Sequence, residues 1–214
     1  MSKAKKAKKP KTKKSKKPKK PGKSAKSNKK PNRLPGDPSK AEMIKRMIRV
    51  DQAGEYGAVR IYEGQLSVLG KSASAPALEH MAEQERRHLD AFNKLIPERR
   101  VRPTALLPLW HVAGFALGAG TALLGEKAAH ACTVAVEEVI DEHYAGQIAR
   151  LDALGKDSGG EKKLRDRLEE FRLEEVEHKQ TSLDLGAREA PGYEALTGLI
   201  RAGSRLAIWL STRI

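Results

Sequence analysis

The sequence predicts an all-α protein, and three observations lead to that class. Apolar residues recur at helical spacing in long segments after residue 38, no segment alternates polar and apolar residues as a strand does, and two parts of the chain repeat each other as helix hairpins. With 214 residues, the chain is long enough for one domain with a substantial core. The predicted architecture is a four-helix bundle made of two hairpins, with an apolar crossover segment between them and a C-terminal amphipathic helix.

The first two predicted helices form the first hairpin. Ser39 and Glu42 have the spacing of a capping box, so the first helix is expected to begin there. Gly70, followed by serines, marks the turn after this helix. A second helix is predicted to run to about Ile96, where Pro97 stops it.

The second hairpin and a final helix follow in the last third of the chain. A third helix is predicted from near Glu126 to residue 154, with Gly155 at its end. After a loop, a fourth helix covers about residues 161–185, and glycine and proline end it. A final helix is expected over about residues 193–212.

The positive charge of the chain is concentrated at its beginning. Residues 1–33 hold sixteen lysines, one arginine and no acid, which leaves −2 of the total charge of +15 for the rest. Like charges repel and prolines block a helix, so residues 1–38 are predicted to be a disordered Lys-rich tail and residues 39–214 the folded domain. Such a tail attracts polyanions, which include nucleic acid, an anionic membrane surface and an acidic protein.

Cysteine usage and the N-terminal composition bear on the compartment. Cys132 is the single cysteine, so an intramolecular disulfide is excluded, as suits a reducing compartment. No apolar stretch follows the first lysines, so no secretory signal is expected, and the Lys- and Pro-rich composition is unlike that of a mitochondrial transit peptide.

An internal repeat organises the folded part. The pattern Glu-x6-Tyr-x-Gly-Gln-(Leu/Ile)-x-x-Leu begins at Glu55 and again at Glu137, and a Gly-Lys turn follows each copy. A helix that carries the motif Glu-x-x-His then follows. The histidine of this motif is His88 in the first copy and His178 in the second. The second copy is longer by eight residues, a difference that the loop at 157–160 can absorb. Each hairpin therefore supplies one Glu and one Glu-x-x-His.

These side chains are the candidate metal ligands. Residues i and i+3 of a helix lie on one face, so a Glu and a His with this spacing can bind one metal while the second carboxylate oxygen bridges to another. The set matches that of ferritin-like di-metal carboxylate bundles. Imidazole and carboxylate without thiolate favour iron or manganese. The predicted ligands are Glu55, Glu85, His88, Glu137, Glu175 and His178.

Other acids lie close to these ligands in sequence. The repeat register selects Glu137, and only Glu175 stands three residues before His178. The alternative interpretation is a charged helix surface with ordinary ion pairs. The competing acids are Glu138, Asp141, Glu142, Glu174 and Glu177.

Several further polar residues are assigned roles around this site. Tyr62 and Tyr144 either lie beside the metals or pack as core tyrosines between helices. Asp51, one turn before Glu55, is predicted to orient a ligand histidine through its ring N–H. The remaining histidines lack the motif and are interpreted as structural: His80, His111, His130 and His143.

Two apolar segments flank the second hairpin. Residues 104–125 contain no Lys, Arg, Asp or Glu and are long enough to cross a bilayer. A single crossing would separate the two halves of the metal site, so this segment is expected to pack on the bundle, dip into one leaflet or lie in the interface. The final helix mixes apolar residues with Arg201, Arg205 and Arg213, a pattern typical of interfacial amphipathic helices. The alternative is that both segments only cover the core.

Long motifs add a family resemblance. They are VDQAGEYGA at 50–58, RVRPT at 100–104, PLW at 108–110, GFALGAGTALLG at 114–125 and CTVAVEE at 132–138. In these motifs the sequence resembles the demethoxyubiquinone hydroxylases of ubiquinone biosynthesis. The resemblance covers about residues 45–214 and leaves the Lys-rich tail outside.

The resemblance implies a ferritin-like peripheral membrane enzyme on the cytoplasmic face of a bacterial cell membrane. It implies two iron ions, one held by each hairpin's Glu and Glu-x-x-His, with Glu85 and Glu175 bridging. The implied reaction uses O₂ to hydroxylate a demethoxy polyprenyl benzoquinol, with one oxygen atom entering the ring and the other leaving as water. NADH is the implied electron donor, although no Gly-x-Gly-x-x-Gly after a strand marks a nicotinamide site.

Other functions would use the same features. A manganese catalase or a rubrerythrin-like peroxidase has a similar ligand shell. A non-enzymatic iron-binding protein is a further alternative, although a store needs a cage-forming surface and the apolar segments argue against one. A nucleic-acid binder would make the Lys-rich tail the primary functional element.

Overall fold

The computed structural model of the protein describes residues 1, 36–155 and 161–214. That part of the chain contains six α-helices, one short 3-10 helix and no strand, which confirms the all-α class. The helices are α1 (Lys40–Leu69), α2 (Ala75–Glu98), α3 (Leu107–Leu123), α4 (Glu126–Ala153), α5 (Lys162–Asp184) and α6 (Tyr193–Ser211), with the 3-10 helix at Ala187–Glu189 between the last two.

Two predictions fall mainly on residues outside this description. The disordered tail at 1–38 lies outside the described residues except for residue 1 and residues 36–38, and the loop at 156–160 lies wholly outside them. The chain divides into two units at Asp37 and Pro38. All of the helices belong to the second unit, Pro38–Ile214.

The ends of the first hairpin's helices follow from local chemistry. The Ser39 hydroxyl accepts a hydrogen bond from the Glu42 N–H at 3.1 Å, as the capping-box spacing predicts. The prediction that Pro97 stops α2 is wrong by two residues, since Pro97 lies inside the last turn and the helix ends at Glu98. Proline removes one N–H only, and the next turn still closes because the Arg99 N–H donates to the Leu95 carbonyl at 2.9 Å.

The bundle has an apolar cluster toward each end. α1 packs on α2 and α4 packs on α5, as the two predicted hairpins require. One cluster joins Ile48, Phe92 and Leu168 from three of these helices, and the other joins Leu78 and Met81 with neighbours from α1 and α4. The predicted metal ligands lie between the two clusters, so apolar packing holds the helices on both sides of the polar centre.

The apolar segment 104–125 packs on the outside of α1 as helix α3. Glycines allow the close approach: a Cβ on Gly118 would lie 1.9 Å from the Ile61 carbonyl oxygen, and one on Gly64 would lie 2.3 Å from that of Phe115. Packing on the bundle was one of the three placements predicted for this segment. Within the described residues, none of the helices combines the length and the apolar character needed to span a bilayer.

Candidate metal centre

The predicted ligands come from the middle of four helices and converge in the core. Glu55 lies on α1, Glu85 and His88 lie on α2, Glu137 lies on α4, and α5 contributes its own Glu-x-x-His pair. No more than 4% of any of the six residues is exposed. The three-residue spacing places each Glu and His of a pair on the inward face of its helix.

The six side chains form two overlapping groups, either of which can hold a metal ion. Each residue offers one ligand atom, and within a group these atoms all lie within 4.8 Å of one another. Glu85 and Glu175 belong to both groups. The first group adds Glu55 and His88, and the second adds Glu137 and His178.

Both ligand histidines direct Nδ1 toward the carboxylates. Nδ1 of His88 lies 3.1 Å from a Glu175 oxygen and 3.5 Å from a Glu55 oxygen. Nδ1 of His178 lies 3.1 Å from the other Glu175 oxygen and 3.2 Å from a Glu85 oxygen. Each imidazole therefore faces carboxylates of both hairpins, and Nδ1 is the nitrogen available to a metal.

The other ring nitrogen of each histidine contacts the opposite hairpin. Nε2 of His88 lies 2.5 Å from a carboxylate oxygen of Glu174, which also accepts two hydrogen bonds from Arg87 at 3.1 and 3.2 Å. Nε2 of His178 lies 2.8 Å from the side-chain carbonyl oxygen of Gln84. These contacts fix the ring orientations, as outer hydrogen bonds commonly do for metal-ligating histidines.

The two repeat tyrosines lie beside the ligands. The Tyr62 hydroxyl on α1 donates to Glu137 on α4 at 3.1 Å, and the Tyr144 hydroxyl on α4 donates to Glu55 on α1. Each tyrosine thus holds the carboxylate supplied by the other hairpin. Burial, together with the neighbouring carboxylates, raises the pKa of both phenols well above the usual value, so they remain donors at neutral pH.

The buried charges interact strongly. Burial and the nearby Glu175 carboxylate raise the pKa of Glu85 and of Glu137 well above the usual value. Burial alone would lower the histidine pKa values, but the carboxylates close to each Nδ1, that of Glu175 first, outweigh it and raise the pKa of His88 to about 12 and that of His178 to about 11.

Unsatisfied polar atoms show that the donor set fits a metal pair. Among the described residues, no hydrogen-bond partner meets either carboxylate oxygen of Glu85, Oε2 of Glu175, or Nδ1 of His88 and His178. Buried polar atoms without partners are costly, and five of the ten such side-chain atoms among the described residues belong to the two ligand groups. Two divalent cations would satisfy the oxygen and nitrogen donors and balance the four carboxylates.

The family described as "Ubiquinone biosynthesis protein COQ7" matches residues 42–211. The chain belongs to this family. The 3-demethoxyubiquinol 3-hydroxylase of Rhodospirillum rubrum is 59% identical over 184 residues, which cover 86% of this chain and 84% of the relative. The human "NADPH-dependent 3-demethoxyubiquinone 3-hydroxylase, mitochondrial" is 52% identical over 171 residues, 80% of this chain and 78% of the relative. The yeast "5-demethoxyubiquinone hydroxylase, mitochondrial" is 42% identical over 187 residues, with 82% and 80% covered.

One residue assignment is corrected in this COQ7-family chain. Asp51 was predicted to orient a ligand histidine, and this is wrong. Its carboxylate instead accepts from Nε2 of Gln147 at 2.7 Å and lies 3.2 Å from Nε2 of His143.

The residues that do orient the ligand histidines are Glu174 and Gln84, neither of which the sequence reasoning assigned to that role. A signal was present, since each stands directly before the Glu of a Glu-x-x-His motif and the two are equivalent in the repeat. The histidines outside the motif belong to neither metal-binding group found in the described residues. His130, for example, is buried and lies 2.9 Å from the Ser74 hydroxyl.

Proposed function

We propose that this chain hydroxylates a demethoxy polyprenyl benzoquinol in ubiquinone biosynthesis, using O₂ and two iron ions. The folded domain at 39–214 carries the activity. The observation that carries the proposal is the pair of histidine–carboxylate groups sharing Glu85 and Glu175, in a chain that belongs to the COQ7 family. In this proposal the two groups would each hold one iron, with Glu85 and Glu175 available to both.

The protein residues prepare the centre for this chemistry. A bound pair of ferrous ions would supply the electrons and the binding position for O₂. The carboxylates balance the charge of the metals, and Glu174 and Gln84 keep the Nδ1 atoms pointed inward by holding Nε2. The hydrogen bonds from Tyr62 and Tyr144 fix Glu137 and Glu55 in position.

An apolar cavity provides a route for the substrate. It has a volume of about 370 Å³ and lies between α1, α3, α4 and α6. Gly54 and Val136, which line it, are the sequence neighbours of Glu55 and Glu137. A prenylated ring in this cavity would therefore lie close to the carboxylates of the centre, shielded from water by an apolar wall.

The same two outer helices present an apolar surface for a membrane. Exposed large apolar residues on α3 include Leu109 and Val112, and those on α6 include Leu199, Leu206 and Trp209. Arginines on α6 lie among them, as in helices that bind an anionic interface. We therefore place the enzyme peripherally on the cytoplasmic face of a bacterial cell membrane, from which the prenyl tail enters the cavity.

A reduced nicotinamide nucleotide completes the proposed reaction as electron donor. The family resemblance implied NADH, whereas the printed names of the human and Dictyostelium discoideum relatives specify NADPH. Both nucleotides supply the same two electrons. Parallel assays with NADH and NADPH decide which one this chain uses.

The reaction itself provides the test. Iron-loaded protein is mixed with demethoxyquinone in detergent or liposomes, reduced nicotinamide nucleotide and O₂, and the quinones are analysed by mass spectrometry. We expect a product heavier by one oxygen atom, labelled when ¹⁸O₂ is supplied. Intact iron loading without hydroxylated quinone would contradict the proposal, and peroxide turnover without quinone would favour a catalase or peroxidase instead.

Two glycines on α6 offer a matched test of the cavity. Gly203 lines it and Gly198 does not, and a Cβ on either meets no atom within 4 Å. Gly203→Leu is expected to raise the KM for the quinone with iron content unchanged, because the new side chain occupies the substrate route. Gly198→Leu should leave that KM unaltered, and equal behaviour of the two variants would place the route elsewhere.

A further inference from the structure

The candidate metal centre is closed to solvent, since no more than 4% of any predicted ligand is exposed. Apolar clusters cover it toward both ends of the bundle, and the cavity that adjoins it between α1, α3, α4 and α6 is apolar. A divalent cation loses hydration on the way in, and apolar side chains offer no oxygen or nitrogen to replace the water. A cation is therefore expected to enter where polar side chains extend from the ligands to the surface.

Polar side chains of this kind lie in the interface between α2 and α5, the two helices with a Glu-x-x-His motif. Glu174 contacts Nε2 of His88 at 2.5 Å, and Gln84 contacts Nε2 of His178 at 2.8 Å. Both Glu174 and Gln84 are only partly buried. These four side chains form a polar stretch of the interface, which connects solvent to both groups of ligands.

Aromatic and apolar side chains close the interface on either side of the polar stretch. The Phe92 ring of α2 meets the Phe171 ring of α5 edge to face, with the ring centroids 5.8 Å apart. In the other direction along α2, Met81 belongs to the apolar cluster at the opposite end of the bundle. An ion that enters between these two helices is therefore confined to the level of Gln84 and Glu174.

Charge distinguishes the two outer side chains of the polar stretch. The Glu174 carboxylate can attract and bind a cation, whereas the Gln84 amide is neutral. On its outer side, the Glu174 carboxylate accepts two hydrogen bonds from Arg87, at 3.1 and 3.2 Å. The exposed fraction of the side chain falls from 50% at Arg87 to 20% at Glu174 and 0% at His88. The three side chains thus form a line from solvent to the centre, and the Arg87 guanidinium repels a cation that approaches along it.

The ion pair between Arg87 and Glu174 can open at little cost. Ion pairs at exposed positions contribute little to stability, since water solvates both partners when they separate. Once the guanidinium has moved into solvent, the Glu174 carboxylate can receive a divalent cation in its place. The same carboxylate contacts the His88 ring, so the ion is then one imidazole away from the Glu55 and Glu175 carboxylates that Nδ1 faces.

A second group of polar side chains lies between α1 and α4. His143 is partly exposed there, and its Nε2 lies 3.2 Å from a carboxylate oxygen of the buried Asp51. The hydrogen bonds of Asp51 in the described part of the chain go to His143 and Gln147, and neither of these is a predicted ligand. The polar stretch between α2 and α5 is therefore the better route, because Glu174 contacts a ligand directly.

We propose that divalent metal ions enter and leave the centre between α2 and α5, where Glu174 is the first carboxylate to bind them and Arg87 is the group that must move aside. This inference rests on the proposed function, which requires two irons in the centre. Arg87 is not a ligand in this proposal. It controls the rate of metal exchange, and the occupied centre is the same with or without it.

The rates of metal uptake and release test the route. The full chain, freed of metal by dialysis against a chelator, is mixed with Fe²⁺ in the absence of O₂. Ferrozine, a dye that binds Fe²⁺, is added at successive times to count the iron that is still free. Release is measured on the iron-loaded chain in excess ferrozine. The ratio of the release and uptake rate constants gives the Kd.

Arg87→Ala removes the cation from the entry route. We expect uptake and release both to become about three- to tenfold faster, with the Kd within about twofold of the parent value. If Arg87 only supported Glu174, release alone would change, because support alters the stability of the occupied centre. Arg86→Ala is the matched control, since Arg86 pairs with Glu83 on the exposed surface of α2 at 3.3 Å and should leave both rates unaltered.

Glu174→Gln keeps the size of the side chain and removes its charge. We expect uptake to slow about tenfold, since the incoming cation loses the carboxylate that attracts it. A role limited to orienting His88 would instead speed release and leave uptake unaltered. Glu79→Gln, which removes the same charge from the exposed surface of α2, is the control and should leave uptake within about twofold of the parent value.

The outcomes separate this proposal from its alternatives. Unaltered uptake in both Arg87→Ala and Glu174→Gln would overturn it, and altered uptake in His143→Ala alone would place the route between α1 and α4. A parent chain that exchanges iron at Glu174 yet hydroxylates no quinone would contradict the proposed function alone. A parent chain that takes up no iron would contradict both.

Discussion

The two hairpins supply equivalent candidate metal ligands, but different polar groups contact those ligands in each hairpin. Nε2 of His88, from the first hairpin, meets the carboxylate of Glu174, which Arg87 holds in turn. Nε2 of His178, from the second, meets the neutral amide of Gln84. The repeat therefore predicts the candidate ligands, while the residues next to each motif make the surroundings of the two histidines unequal.

The hairpins also differ in what covers their first helices. Gly64 and Gly146 occupy the same position in the repeat. α3 packs directly on Gly64, whereas Gly146 lines a cavity between α1, α4 and α6. Helix α3 lies outside the repeat and covers only Gly64. The first hairpin therefore requires glycine at this position, and the second does not.

Among the substitutions that test this comparison, removal of the shared carboxylates is expected to change metal binding most. Glu85→Ala or Glu175→Ala should abolish binding of both metals, because each belongs to both groups. Glu55→Ala should weaken mainly one metal position. Metal per chain, measured by elemental analysis, distinguishes these outcomes, with Glu177→Ala on the exposed face of α5 as the control. One retained metal in Glu85→Ala would show that Glu85 does not bridge.

Substitution of the two equivalent glycines is expected to have the next largest effect, and its sign should differ between the two positions. Gly64→Ala places a Cβ 2.3 Å from the Phe115 carbonyl oxygen and 2.7 Å from the Ala119 nitrogen, both backbone atoms that cannot move alone. We expect it to lower the free energy of unfolding by about 1–3 kcal/mol or more. Gly146→Ala should raise it by up to about 1 kcal/mol, because alanine favours the helix. Urea denaturation of metal-free protein measures both, and equal values would refute the difference in packing.

Removal of the side chains that contact Nε2 of the two histidines should have a smaller effect on metal affinity, and the effect should differ between the two. Glu174→Ala removes a carboxylate partner and is expected to weaken metal binding about 10–100-fold. Gln84→Ala removes a neutral hydrogen bond, which is roughly half as strong, so its effect should be less. Competition with a chelating dye measures both affinities. Glu170→Ala, exposed on α5, should leave them unaltered, and a larger effect for Gln84→Ala would reverse the proposed asymmetry.

Acid should weaken metal binding gradually. The neighbouring carboxylates raise the pKa of His88 to about 12 and that of His178 to about 11, so both nitrogens of each ring are protonated at neutral pH before a metal binds. Coordination through Nδ1 displaces that proton, so binding releases protons and the apparent affinity rises with pH up to the histidine pKa values. Titration with Mn²⁺ in weak buffer should release at least about two protons per chain. No release would show that the histidines do not coordinate through Nδ1.

The sequence predicted the parts of the molecule that depend on spacing. The all-α class and the convergence of the six ligand side chains both follow from helical periodicity and the repeat. The start of α1 at Lys40 follows from the capping residue Ser39. The end of α2 near Pro97 was harder to predict, because whether a proline ends a helix or lies in its last turn depends on the hydrogen bonds that form after it.

Contacts between helices could not be predicted to the same extent. Spacing places Asp51 on the same face as Glu55, but the depth of α4 against α1 decides that Asp51 meets Gln147 and His143 instead of a ligand histidine. The same applies to Glu174, whose partner lies on the opposite hairpin. The two cavities depend on how α6 lies across α1 and α4, which no local pattern specifies.

The identity and number of the bound metals test the central claim most directly. Protein produced in iron-supplemented medium is purified without chelator, and iron, manganese and zinc are counted per chain. We expect two irons per chain, held by the six side chains around Glu85 and Glu175. A single zinc per chain would contradict the proposal of a di-iron hydroxylase.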